Sequence, residues 1–132
     1  MYSALLLVLL LVANAAFAEP RVEVFTDSGH PVADTEAFAD VTVYRLDGLA
    51  LAQDQLSEGL PSDPDEAERI AAQRLDEQPM LNEQMMQAGQ GLTLAHLQYR
   101  LDRYPAVVFD GATVIYGVTD LAVAYRLYEA NK

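Results

Sequence analysis

The apolar and polar positions of this 132-residue chain change pattern several times, and each change predicts an element. Residues 1–18 form an apolar run that ends Ala16-Phe17-Ala18, the small-x-small pattern that a signal peptidase cleaves. The run from Ala4 to Val12 is shorter than the roughly 20 residues of a membrane-spanning helix. Arg21 to Thr26 alternates and is rich in β-branched and aromatic residues, which predicts a strand. Asp27-Ser28-Gly29-His30-Pro31 is a turn, Val32 to Phe38 a short helix, and Val41 to Leu46 a second strand ended by Asp47-Gly48. Leu49 to Gly59 has mixed helical spacing. Ser62 or Asp63 caps a further helix through Ala67, Ile70, Ala71 and Leu75, which Pro79 interrupts. Met80 to Gln87 adds another turn or two of helix, Gly89-Gln90-Gly91 reads as a flexible joint, and Leu92 to Arg103 as a helix with Leu94, Leu97 and Leu101 on one face. Ala106-Val107-Val108-Phe109 has the unbroken apolar character of a buried strand. Asp110-Gly111 is a hairpin signal, Thr113 to Tyr116 the return strand, and Leu121 to Ala130 a last helix capped by Thr119 or Asp120.

The order is β-α-β, a helical insert at about 49–103, then β-β-α. It predicts an α/β domain over 19–132 with a central mixed sheet and helices on both faces, the thioredoxin architecture. Cleavage after Ala18 makes the protein exported, and so periplasmic, with no membrane span left. The remaining 114 residues suit one domain with one core.

Composition narrows the function. There is no cysteine, which removes a structural disulfide, a thiol nucleophile and a thiolate metal site. The formal net charge of −12 disfavours phosphate backbones and anionic lipid, so nucleic acid is not an expected partner. Solubility alone accounts for such a charge; a basic partner surface is the sharper reading. The dinucleotide glycine fingerprint is absent, and no cofactor is expected.

The segments VEVFTDSGHPV, SEGLPSDPDEA and YPAVVFDGATVIYGVTDL together resemble a family of exported, thioredoxin-like proteins encoded in integrating conjugative elements, beside genes for a type IV secretion apparatus. The resemblance covers nearly all of 19–132. It implies a periplasmic assembly or stabilising role in conjugative transfer, with envelope proteins of that apparatus as partners, and it supplies no enzymatic activity. Laid on the Cys-Pro-x-Cys pattern of thioredoxins, the chain has His30 at the first cysteine, Pro31 in its place and Ala33 at the second. Thiol–disulfide exchange needs a thiolate, so redox activity is out of reach. Pro105 would take the position of the cis-proline that faces the loop. A strip made by Asp27, Ser28, His30, Pro31, Tyr104 and Pro105 is the candidate partner site, where relatives of this fold bind extended peptides.

Each candidate has a plainer reading. His30 could act as a general base in an exported enzyme or chaperone-like factor, with Asp27 and Ser28 beside it, but residues this close on one turn seldom assemble a triad. It could instead cap the following helix, touch a partner, or have no role. His96 lacks a metal-ligand spacing. The acids Asp63, Asp65, Glu66 and Glu68 fit a helix start better than a calcium loop. Met80, Met85 and Met86 fill a core or line a partner groove. A binder of peptides or small molecules with the insert as a lid is the remaining alternative.

Overall fold

A computed structural model describes residues 19–132, so the expected signal segment lies outside the described residues. The strands are β1 (Val22–Thr26), β2 (Val41–Arg45), β3 (Ala106–Phe109) and β4 (Thr113–Tyr116). They form one mixed sheet in the order β2-β1-β3-β4, with β1 parallel to β2 and antiparallel to β3, and β3 antiparallel to β4. The helices are α1 (Gly48–Ser57), α2 (Pro64–Glu77), α3 (Pro79–Thr93) and α4 (Leu121–Ala130).

Side-chain alternation assigns the two faces. Val22 and Val24 of β1 join Val107 and Phe109 of β3 under Leu121 and Ala124 of α4. Tyr128 stacks on Phe109 with ring centroids 4.5 Å apart, and Tyr125 meets Phe38 edge-on at 5.3 Å. On the other face Phe25, Ala106 and Val108 pack with Tyr44, Ala95 and Leu101. Asp120 caps α4 by accepting from the amides of Ala122 at 2.9 Å and Val123 at 3.2 Å. Asp110 and Gly111 both have positive φ, 51° and 66°, in the three-residue loop that joins the paired Phe109 and Thr113, and the Ala112 amide donates to the Phe109 carbonyl at 3.1 Å.

Three expectations need correction. The connection between β1 and β2 is not a helix over Val32–Phe38 but a single 3-10 turn at Thr35–Ala37. Asp34 before it is left-handed (φ 62°), which stops helix growth at its start. Gly89-Gln90-Gly91 is not a joint: α3 continues through it to Thr93 and widens into a π-helical segment, Leu94–Gln98. In that segment Leu97 is 76% exposed and Ala95 is buried, and Leu101, beyond the end of the helix, is buried as well. The wider π turn rotates residues off the expected stripe, so Leu94, Leu97 and Leu101 do not share one buried face.

Gly91 is small for packing, not for flexibility. A Cβ there would lie 2.6 Å from Tyr44 Cβ and 3.0 Å from Leu46 Cδ2, so α3 can lie on β2 only at a residue without a side chain. The rest of the insert hangs on α3. Gln84 Nε2 donates to the Gly48 carbonyl at 3.2 Å. Arg74 donates to the carbonyls of Leu56 (3.1 Å) and Glu58 (2.6 Å), closing the carboxyl end of α1. None of the 14 residues of α2 is buried.

A paired substitution tests the close approach. Alanine in a helix is worth about 0.5–1 kcal/mol over glycine, whereas overpacking costs about 1–3 kcal/mol. Gly89→Ala, whose Cβ meets nothing within 4 Å, is expected to stabilise in urea unfolding, and Gly91→Ala to destabilise. Equal effects of the two would mean that α3 does not seat on Tyr44.

Candidate functional site

The register of the sheet decides which candidates meet. Phe25 pairs with Ala106 across an antiparallel ladder, so the turn after Thr26 and the Tyr104-Pro105 segment before Ala106 emerge at the same end of the sheet. Arg45 pairs with Thr26, and Gly117 N–H donates to the Pro105 carbonyl at 2.9 Å, so the ends of β2 and β4 border the same edge. The Tyr104–Pro105 peptide bond is cis. Tyr104 is 39% exposed, and its hydroxyl is held above the usual tyrosine range by partial desolvation and by the neighbouring Tyr116.

The Asp27–Pro31 turn is organised by its own polar groups. Asp27 Oδ1 accepts from the Gly29 amide at 2.8 Å and lies 2.8 Å from His30 Nδ1. An ionised carboxylate only accepts, so Nδ1 carries the proton and Nε2 is the remaining ring nitrogen. The hydrogen bond from His30, more than its charge, holds the Asp27 carboxyl below the usual carboxylate range. Thr26 Oγ donates to the His30 carbonyl at 2.8 Å. The Ser28 amide donates to Asp47 Oδ2 at 3.1 Å. His30 therefore caps no following helix; its ring pairs back onto Asp27, and its side chain is 57% exposed. The polar contacts of this turn go to Thr26, Asp47 and itself, not to Tyr104 or Pro105. The six candidates thus border one end of the sheet as two separate segments.

The structure adds residues that sequence reading missed. Asp47, read as a strand terminator, reaches across to the Ser28 amide, and its Oδ1 is buried with no hydrogen-bond partner. Glu23 is only 7% exposed in the central strand, on the face of Phe25. Tyr99 Oη donates to its Oε1, and Arg21 Nη2 lies 3.5 Å from the same oxygen. Burial first, then the hydrogen bond to Glu23, pushes the Tyr99 hydroxyl up. The signal was present: alternation in VEVFT puts a carboxylate on an otherwise apolar face, and such a group needs a partner.

Two carboxylates close the far side of the loop. Ala33 bridges to Asp120, and Ala33 N–H donates to the Thr119 carbonyl at 3.0 Å. Repulsion from Asp120, followed by a hydrogen bond shared with it, raises the Asp34 carboxyl above its ordinary value, with Glu36 adding to the shift.

The arrangement is that of a cysteine-free mixed α/β domain with a polar turn and an aromatic-proline segment at one end of its sheet. The chain belongs to the family described as Protein of unknown function (DUF1525), which matches residues 19–132. No curated protein matches it, and no solved structure matches it. Among the described residues, no helix is long and apolar enough to cross a membrane.

The Asp34 shift gives a signed prediction. A carboxyl whose folded pKa is raised costs stability when ionised, fully above the folded value, and the cost fades as pH falls through that value toward the unfolded one. Asp34→Asn is expected to raise the thermal midpoint at pH 7, and the gain to vanish below the carboxylate range. A gain independent of pH would mean that repulsion by Asp120 is not its source.

Proposed function

We propose that this is an exported, non-redox binding protein on a thioredoxin-like frame, acting in the periplasm as an assembly or stabilising factor of a conjugative type IV secretion apparatus. The observation that carries the binding part is the shared sheet end. There the Asp27–Pro31 turn and the cis Tyr104–Pro105 segment flank β1 and β3 in a chain that has no thiol. The strand order β2-β1-β3-β4, with one parallel and two antiparallel pairs, supports the thioredoxin-like assignment. The apparatus and the compartment rest on the resemblance of the VEVFTDSGHPV, SEGLPSDPDEA and YPAVVFDGATVIYGVTDL segments and on the signal-like first 18 residues.

Binding needs exposed, adaptable groups rather than a reacting constellation. Tyr104 offers an amphipathic ring, and His30 and Ser28 offer polar contacts on a turn held by Asp27 and Asp47. The competing reading, an exported enzyme using His30, draws on the Asp27–His30 hydrogen bond, which orients an imidazole as a general base needs. It lacks a nucleophile bonded to that imidazole: Ser28 is fixed through its amide to Asp47.

The test is affinity capture of the tagged protein from envelope extracts of cells carrying the element. Capture of secretion-apparatus proteins by the unaltered chain, and its loss on Tyr104→Ala, is the expected result. Capture unchanged by both Tyr104→Ala and His30→Ala would remove the strip from the account. A turnover abolished by His30→Ala with capture intact would favour the enzyme.

A further inference from the structure

The hydrogen-bond phase of the sheet decides which backbone groups reach its outer edge. In an antiparallel ladder, pairs that exchange both hydrogen bonds alternate with pairs whose N–H and C=O groups point away. Gly117 N–H donates to the Pro105 carbonyl, so in the β3–β4 ladder the bonding pairs are the odd-numbered ones, Val107 with Ile115 among them. The Asp110 amide donates to the Arg21 carbonyl, which turns the even-numbered residues of β3, Ala106 and Val108, toward β1. Opposite them, Val114 and Tyr116 of β4 aim their N–H and C=O groups outward. β4 is one end of the sheet, and among the described residues no backbone hydrogen bond reaches those groups.

β4 also lacks what usually closes such an edge: a charged side chain, a proline or a bulge. Thr113-Val114-Ile115-Tyr116 has no charge and no proline, its register with β3 is one to one, and its side chains are half-buried. Residues 103–118 contain one cation and one acid. Arg103 lies over the Tyr116 ring, 4.4 Å from its centroid, and Asp110 accepts from the Arg21 amide in the hairpin. The acidity of the molecule is elsewhere. Between Gly48 and Thr93 there are nine acidic residues and two arginines, seven of the twelve net negative charges. That insert seats on β2, the opposite end of the sheet.

We propose that β4 pairs antiparallel with β4 of a second copy of this chain, joining the two sheets about a twofold axis at Ile115. The phase of the ladder selects this occupant. With the axis at Ile115, Val114 of one copy stands opposite Tyr116 of the other and exchanges both hydrogen bonds with it. The reverse pair follows by symmetry, so every outward group of Val114 and Tyr116 is satisfied. Val114 against Tyr116 is a β-branched–aromatic cross-strand pair, a favourable kind, and Ile115 meets its own copy at the axis. No charge is set against a like charge within the pairing. The same operation on β2, about Val43, would set Val41 against Arg45 and bring two acidic inserts to one seam. The β4 edge borders the Tyr104–Pro105 strip at Tyr116, and the pairing does not depend on what that strip binds.

The test uses the chain expressed from its full sequence. Sedimentation over a concentration series reads the mass, and amide hydrogen exchange at both ends of that series reads the edge. The expected result is a reversible doubling of mass. The Val114 and Tyr116 amides exchange freely in the dilute sample and are protected in the concentrated one, while Ile115, bonded to Val107, is protected in both. Val114→Pro removes an N–H that β3 does not use, which an edge strand tolerates. It is expected to stay monomeric, and protection of its Ile115 amide verifies the fold; if that protection is lost, the exchange pattern of the unaltered chain decides. A chain monomeric at every concentration overturns the proposal. So does a dimer in which Val114 and Tyr116 still exchange freely, one that folded Val114→Pro leaves intact, or growth beyond the dimer. Protection of both amides in the monomer overturns it too, because the chain then covers its own edge.

Discussion

Everything in this structure is referred to β1. All five of its residues are buried, it is hydrogen-bonded on both edges, and its two faces build the two halves of the core. A slip of one residue would exchange Val22 and Val24 with Glu23 and Phe25 and put the carboxylate into the α4 side of the core. The Tyr99 and Arg21 contacts to Glu23 therefore help to fix the register as well as satisfy a charge. Hydrogen bonds to a charged group are worth about 1.5–3 kcal/mol, comparable with burying one aliphatic side chain. The same interaction ties the end of the π-helical segment to the sheet, and Gly111 leaves room for it: a Cβ there would lie 2.9 Å from Arg21 Nη2.

The register then sets the surface. It places the Asp27–Pro31 turn beside Tyr104-Pro105 without any bond between them, so the strip is held from below by strand pairing. The turn is stiffened locally by Asp27 and Asp47. The insert contributes little to the core through α1 and α2 and attaches through α3, where Gly91 admits Tyr44. The sheet is held by its two core clusters, and the helical layer seats on it where Gly91 meets Tyr44.

Strands and the last helix were legible because their signals are local: β-branched alternation in VEVFT and VTVYR, the apolar run AVVF, Asp-Gly at the hairpin, Asp120 at the cap. Three features were not legible, each for a physical reason. The segment after Pro31 reads as helix by composition, but the left-handed Asp34 and the Ala33–Asp120 bridge hold it open. Glycines 89 and 91 read as a hinge because propensity counts entropy and cannot see Tyr44 waiting across the sheet. The π segment moves Leu97 off its stripe, which a fixed period of 3.6 cannot anticipate. Of the site, the six strip residues were found from the resemblance. Asp47 and the Glu23–Tyr99–Arg21 contacts were not, because their partners lie 19 and 76 residues away in the chain for Ser28–Asp47 and Glu23–Tyr99.

The most direct measurement is site-specific photo-crosslinking in cells that carry the conjugative element proposed above, with the reactive side chain placed in turn at Ser28, Tyr104 and Leu127. Leu127 is exposed on α4 and outside the strip. The account predicts that Ser28 and Tyr104 crosslink to the same envelope protein and Leu127 does not. Crosslinks to different proteins from Ser28 and Tyr104, equal labelling from Leu127, or none from either strip position would contradict a single binding edge at the end of β1 and β3.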